Sequence, residues 1–216
     1  MNGAVHELYT DSYGRISFEI TLSAGSYEVK ITNPDTGESR AQTINVVKRI
    51  TQNNGLTMYY GAGKSYRVRV CDDYGNFKAG LSVKFTIAGK SYYSKTDANG
   101  YASFKINMKP GKYKITAEYN GFKVSNKITV KSTIITKNIK VKKGKTIKFR
   151  AKLVNKNGKV LKNKKVTFRF KGKTYKVKTN KKGIATLKIK RKYKAGKYSI
   201  TTSYGKLKVK NIIKIK

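Results

Sequence analysis

The sequence predicts an all-β fold of tandem antiparallel β-sandwiches, two of them complete and one an N-terminal partial. Three observations predict it. Apolar and polar residues alternate with the period of two that half-buried strands require. Short glycine-bearing turns such as "NKNGK", "KGKT", "NKKG", "KAGK" and "YGK" punctuate the alternation at regular intervals, as in a sandwich. One phrase occurs three times, as "TDSYGRISFEI" at 10–20, "TDANGYASFKI" at 96–106 and "TNKKGIATLKI" at 179–189, which marks a chain built from repeats.

The third unit, 132–216, carries the pattern most clearly. Ile147, Phe149, Ala151 and Leu153 alternate with Lys148, Arg150 and Lys152; Val166, Phe168 and Phe170 alternate with Thr167, Arg169 and Lys171; Tyr198, Ile200 and Thr202 alternate with Ser199 and Thr201. Seven strands are expected, near 140–142, 145–154, 164–171, 173–178, 184–190, 197–204 and 206–215. No window reads as a helix. The second unit, 51–131, aligns without gaps over 71–106 on 154–189, so that Gly75, Gly89 and Gly100 meet Gly158, Gly172 and Gly183. Before that block Gly63-Lys64 meets Gly144-Lys145 two residues out of step, and after it Gly111 meets Gly196, again two residues out. Insertions of two leave every later side chain on its own face of a strand, whereas an insertion of one turns the core outward. The first unit, 1–50, matches only the last three strands of the others, with Gly14, Phe18, Gly25 and Tyr27 at the places of Gly100, Phe104, Gly111 and Tyr113. Residues 4–9 supply at most one strand more. The repeated phrase therefore reads as the entry to a fifth strand whose first four companions are missing from the chain as given.

Most of the repeated residues have structural explanations. In T-[DN]-x-x-G, Asp97 or Asn180 is placed to bond its own backbone in an Asx turn, and the glycine accepts positive φ. Asp72, Asp73 and Asp97 invite a calcium reading, but Asn155, Lys156 and Asn180 stand at the matching positions, and turn structure is favoured. Tyr113 and Tyr198 are expected to plug the edge of a core with the hydroxyl at its rim. Cys71 matches Val154, reads as a small half-buried residue at a strand end, and as a lone cysteine excludes an internal disulfide scaffold.

An enzyme is not expected. The one histidine, His6, makes no triad or histidine metal site, no glycine loop precedes a helix, and 132–216 has no carboxylate for acid–base work. No cofactor or metal is implied. Residues 1–20 hold no apolar signal core. No stretch approaches the roughly 18 apolar residues of a membrane-spanning helix.

Charge is the distinctive quantity. The formal net charge is +40, and it is uneven: 1–131 holds 19 basic and 10 acidic residues, while 132–216 holds 31 basic and none acidic. Of those 31, only Arg150, Arg169 and Arg191 are arginine. Hydrated lysine point charges suit diffuse adherence to a polyanion rather than bidentate reading of base edges. The candidate set is Lys148, Arg150, Lys152, Lys164, Arg169, Lys171, Lys176, Lys178, Lys188 and Lys190. Lysines that only coat solvent faces and guard sheet edges explain a modest excess, but self-repulsion on this scale calls for counterions or a partner.

V-x-F-x-x-x-G-K-x-Y (from Val83 and from Val166), then T-[DN]-x-x-G-x-A-x-[FL]-x-I, then [PA]-G-K-Y-x-I-T, then a closing "KITVK" or "IIKIK", resembles the immunoglobulin-like repeats of adhesin-like surface proteins of methanogenic archaea. These are similar to the group 1 bacterial immunoglobulin-like domains of invasin and intimin. The resemblance covers about residues 10–216 and implies immunoglobulin-like sandwiches, an extracellular location and a non-enzymatic stalk. It also implies an adhesive region ahead of the repeats, directed at a host or partner-cell surface, which this chain lacks. With no catalytic residue to carry over, the expected partner of 132–216 is an anionic cell-wall or surface polymer. The alternative is a basic protein that binds nucleic acid nonspecifically. A carbohydrate-binding sandwich requires a row of exposed aromatics, for which Tyr59, Tyr60, Tyr92 and Tyr93 are the candidates.

Overall fold

The computed structural model describes residues 5–20, 22–190 and 193–216. Strands β1 (Gly25–Thr32) and β2 (Ser39–Val46) form an antiparallel hairpin. The second unit contributes β3 (Ile50–Thr51), β4 (Leu56–Tyr59), β5 (Ser65–Val70), β6 (Ser82–Ile87), β7 (Lys90–Lys95), β8 (Tyr101–Lys105), β9 (Gly111–Tyr119) and β10 (Phe122–Lys131). The third contributes β11 (Ile134–Ile135), β12 (Ile139–Val141), β13 (Ile147–Leu153), β14 (Lys165–Phe170), β15 (Lys173–Lys178), β16 (Ile184–Ile189), β17 (Gly196–Tyr204) and β18 (Leu207–Ile215). Among the described residues there is no helix.

Each complete unit packs a three-stranded sheet on a five-stranded one. The orders are β3-β5-β8 against β4-β10-β9-β6-β7, and β11-β13-β16 against β12-β18-β17-β14-β15. This is the immunoglobulin-like sandwich, in tandem. The inward residues of the alternating strands fill each core: Val68, Phe85, Ala102, Ile115 and Ile128 in one, Phe149, Phe168, Ala185, Ile200 and Ile213 in the other, all fully buried. An edge-to-face ring pair bridges the sheets of each, Tyr66 on Phe85 and Phe149 on Phe168, with centroids 6.0 Å apart in both. The sheet register pairs Tyr66 with Phe104 and Phe149 with Leu187. Phe149 is therefore the counterpart of Tyr66, and the first two-residue insertion is absorbed before the strand without turning it over.

Eight strands form per unit, rather than the seven expected. The opening strand divides: β3 and β11 pair antiparallel in the small sheet, then the chain crosses, and β4 and β12 pair parallel with the last strand of the large one. Two-residue pieces such as Ile134–Ile135 are too short to show an alternation. The second unit also begins one residue earlier than expected, because Ile50 pairs with Val70.

The largest departure is in residues 1–50, where three to four strands were expected and two form before Ile50 among the described residues. Around Asp11 the turn is made: Oδ1 accepts the backbone N–H of Tyr13 and of Arg15, each at 2.9 Å. The strand after it is not. In the complete unit the matching β8 pairs with β5 across the small sheet, and residues 5–9 offer no strand to take that role. Ile16 is consequently 40% exposed where its counterpart Ala102 is fully buried.

Three tyrosines close equivalent corners. The hydroxyls of Tyr27, Tyr113 and Tyr198 donate to the carbonyls of Ser23, Lys109 and Lys194, each at 2.8 Å. A tyrosine at the start of the sixth strand bonding back to the preceding chain is a hallmark of immunoglobulin-like sandwiches. The expectation of a rim hydroxyl is met, with a defined acceptor.

A half-buried asparagine ties the last strand to the crossing segment. Asn126 Oδ1 accepts from Asn53 Nδ2 at 3.1 Å and from the Tyr66 hydroxyl at 2.7 Å. In the third unit Phe149 has no hydroxyl, and Asn211 Oδ1 accepts from Thr136 at 2.7 Å instead. Burial pushes the Tyr66 hydroxyl from 10.0 up to about 12. Above pH 10 the unfolded chain releases this proton while the folded chain keeps it, so this group lowers stability as pH rises from 10 towards about 12. Tyr66→Phe is expected to cost about 1–2 kcal/mol near neutrality. It is also expected to abolish the latest phase of the ultraviolet tyrosinate titration. An unchanged titration contradicts the assignment.

Only Ser132 and Thr133 separate β10 from β11. Tyr60, just beyond β4, packs against both cores and donates its backbone N–H to Lys131 O at 2.8 Å. Tyr59 lies against the turn at Gly158, so closely that a β-carbon added there would stand 2.7 Å from the ring. Of the four tyrosines considered for a sugar platform, these two are consumed by the junction. Tyr92 stacks on Phe104 with centroids 4.7 Å apart, and Tyr93 alone stands out from β7. They make no row.

Candidate polyanion-binding faces

Alternation fixes which lysines share a face, and sheet order decides which strands lie side by side. On the outer face of β13-β16, Lys148, Arg150 and Lys152 project from β13 and Lys188 from β16, with Lys190 just beyond it; all are exposed. On the outer face of the five-stranded sheet are Arg169, Lys176 and Lys178. Lys164 precedes β14, and its backbone N–H is bound by Thr179 Oγ1 at 2.9 Å. Lys171 turns the β14–β15 hairpin at φ 48° with its ammonium 5.4 Å from the centroid of the Tyr198 ring. The ten residues expected to act as one diffuse set are thus divided between two opposite faces and a turn.

The five-stranded face also collects basic residues outside that set. Lys140, Lys214 and Lys197 form a row across β12, β18 and β17. Lys210, Thr201, Arg169 and Thr174 form the next full row across β18, β17, β14 and β15. Lys208, Ser203, Thr167 and Lys176 form a third, and Lys165 faces Lys178 at the edge. No acid interrupts them, because 132–216 has none. Lysines stand directly opposite one another at 197/214, 165/178 and, on the other sheet, 148/188. Like charges so placed are destabilising. Strand alternation alone marked Lys208, Lys210 and Lys214 as outward; their adjacency to Arg169 and Lys176 depends on β17 and β18 lying beside β14.

The second unit shows what neutralisation looks like at the same place. There the third row is Lys123, Glu118, Lys84 and Tyr93, and Glu118 pairs with Lys84 at 3.6 Å and with Lys123 at 3.7 Å. In the third unit Ser203 replaces the acid and Lys176 the aromatic.

The acidic turn residues are occupied by turn geometry. Asp72 Oδ1 accepts from Tyr74 N and Asn76 N at 3.0 and 2.9 Å, and Asp97 Oδ1 from Asn99 N and Tyr101 N at 3.0 and 2.9 Å. Asn155 and Asn180 repeat both patterns. Asp73 pairs with Arg49. Cys71 is fully buried rather than half-buried, its sulfur 3.8 Å from the carbonyls of Lys48 and Arg49. The hydrogen bond from Lys78, whose ammonium is 2.9 Å from Oδ2, is the main cause holding the Asp72 carboxyl below its usual 3.8. A depressed carboxyl stabilises above its unfolded value, and that stabilisation is lost as pH falls. Asp72→Asn keeps the turn acceptor, as Asn155 does. It is expected to lower the melting temperature at pH 7, where the contact with Lys78 is lost, and to flatten the decline below pH 4. An unaltered acid limb in thermal melts contradicts this.

Sequence reasoning missed the threonine of the repeated phrase. Thr96 Oγ1 donates to Lys78 O at 2.7 Å and accepts from Leu81 N at 2.9 Å. Thr179 Oγ1 does the same with Leu161 O at 2.6 Å and Lys164 N at 2.9 Å. The signal was its repetition in every copy.

No family model and no curated protein matches the chain. Among solved structures it is similar to the I9–I11 tandem of titin, at 16% identity over 79% of this chain and 65% of that one, with a TM-score of 0.38. It is also similar to domains 4 and 5 of the surface-layer protein SbsC, at 18% identity over 77% and 96%, TM-score 0.28. A third similarity is to a calcium-stabilised, ice-binding adhesin of an Antarctic bacterium, at 14% over 88% and 57%, TM-score 0.26. Scores this low carry no assignment of function. Among the described residues no helix is long and apolar enough to cross a membrane.

Proposed function

We propose that this chain is a non-enzymatic, adhesin-like cell-surface protein. Residues 51–131 and 132–216 are two immunoglobulin-like stalk domains, 1–50 is a partial one, and the lysine-rich last domain attaches the stalk to an anionic wall or surface polymer. The carrying observation is the uncompensated charge of 132–216, arranged in cross-strand lysine pairs. A polyanion relieves that repulsion, and whatever binds only the folded state also stabilises it. The neighbouring domain, with the same fold and a neutralising Glu118, is an internal control.

Isolated 132–216 is expected to sediment with purified cell wall at low salt and to be released near molar salt, as counterion release requires. Equal retention of 51–131 contradicts the proposal. Preferential retention on nucleic acid in place of wall favours the alternative of a nonspecific nucleic-acid binder.

A further inference from the structure

We infer that the outer face of the five-stranded sheet in residues 132–216, not the opposite face, is the polymer-binding surface, and that its ligand is a linear phosphodiester polymer of the cell envelope. The inference rests on the attachment reading above and adds the face and the chemistry.

Three features select the face. Its basic residues continue across all five strands, from Lys140 on β12 to Lys178 on β15. The opposite face is three strands wide and carries the apolar Ile135, 45% exposed, beside Lys152. Between the lysine columns of β18 and β15, the hydroxyls of Ser203, Thr201 and Thr167 stand outward, Ser203 where the preceding unit has Glu118. In the row Lys208, Ser203, Thr167 and Lys176 two cations flank two hydroxyls across three strand spacings of about 4.8 Å each, and cations recur at about 6.8 Å from Lys208 to Lys210 on β18 and from Lys176 to Lys178 on β15. A flexible chain with one negative charge per short repeat can lie across such a surface with each charge near an ammonium.

Two features select the chemistry. Phosphate oxygens are met by lysine point charges together with serine and threonine hydroxyls, the two groups this face sets side by side; among the described residues Arg169 is its one arginine, so fork geometry plays little part. Single-stranded nucleic acid is held by a basic groove together with aromatic stacking, and among the described residues this face presents no outward aromatic ring: Lys176 stands where Tyr93 does in the preceding unit.

Two variants of the full chain, each removing four positive charges, test the inference. One carries Lys176→Gln, Lys208→Gln, Lys210→Gln and Lys214→Gln; the other carries Lys148→Gln, Arg150→Gln, Lys152→Gln and Lys188→Gln. Affinity for synthetic poly(glycerol phosphate) is measured against salt, with polygalacturonate and oligo(dT) of matched charge as comparison ligands. The first variant is expected to lose at least about tenfold in affinity and about 3 in the log–log salt slope, at about 0.7 per phosphate contact. The second is expected to lose about threefold or less, the share owed to net charge. Lysine acetylation footprinting of the unmodified chain supplies a readout free of mutation, with protection expected at Lys208, Lys210 and Lys214 and not at Lys148 or Lys188. Equal losses in the two variants, or protection of both faces, overturn the choice of face but leave wall attachment standing. Tighter binding of polygalacturonate or of oligo(dT) overturns the chemistry. No binding to any polyanion at low salt overturns this inference and the attachment reading together.

Discussion

Gly100→Ala is expected to destabilise the 51–131 domain by about 3–5 kcal/mol, the largest single-site effect the repeated phrase can deliver. Gly100 sits at φ +77°, and a β-carbon there stands 2.7 Å from the carbonyl oxygen of Val70 and 3.0 Å from the Phe77 side chain. Backbone strain and a contact with another strand's backbone therefore add. The two backbones are also joined directly here, because Val70 N donates to Gly100 O at 2.8 Å. Gly183→Ala meets Leu153 O at 3.0 Å and Val160 at 3.1 Å, a looser fit, and is expected to cost less. Gly14→Ala has the same φ region, +70°, but meets nothing within 4 Å, so only the conformational strain of about 1 kcal/mol is expected. Denaturant unfolding of the three variants checks the ranking. Equal effects at Gly14 and Gly100 mean that the second contact, β5 against the turn, is not what constrains the phrase.

Thr179→Val is the second large effect, at about 2–4 kcal/mol. Valine keeps the shape and removes a hydroxyl that serves two backbone groups, Leu161 O and Lys164 N, in a buried position. Unpaired buried backbone groups cost more than the average hydrogen bond contributes. Thr179→Ser retains both bonds and is expected to recover most of the loss; Thr96 behaves alike through Lys78 O and Leu81 N. Thr10, the first copy, is exposed, and Thr10→Val is expected to be silent. If Thr179→Ser is as damaging as Thr179→Val, packing rather than hydrogen bonding explains the site.

These contrasts show what the repeats disclose and what they do not. Asp11, Asp97 and Asn180 make the same turn in all three copies, because an Asx turn is a bargain among five neighbouring residues. The strand after the turn forms only where β5 or β13 lies alongside, because a strand's hydrogen bonds come from elsewhere in the chain. That is why residues 15–20 read as a strand and are not one. It is also why the first piece of the opening strand, β3 or β11, escaped notice although a strand was read near 140–142: two residues carry no period, and the piece is defined by the sheet it joins. The division of the basic residues between two faces was hidden for a related reason. Alternation distinguishes in from out within one strand but does not say which strands are neighbours.

The amino-acid sequence by itself determined the fold class, the inward side of the complete units' long strands and the concentration of charge after residue 131. All are local or additive properties, set by periodicity, turn chemistry and composition. Only the tertiary structure decided that Tyr59 and Tyr60 join the two sandwiches, that Asn126 and Asn211 find their donors in different residues, and that Lys208 lies across two hydroxyls from Lys176. Those facts depend on sheet order, and sheet order is settled by the burial of both cores at once, a cooperative outcome that no single stretch of the chain contains.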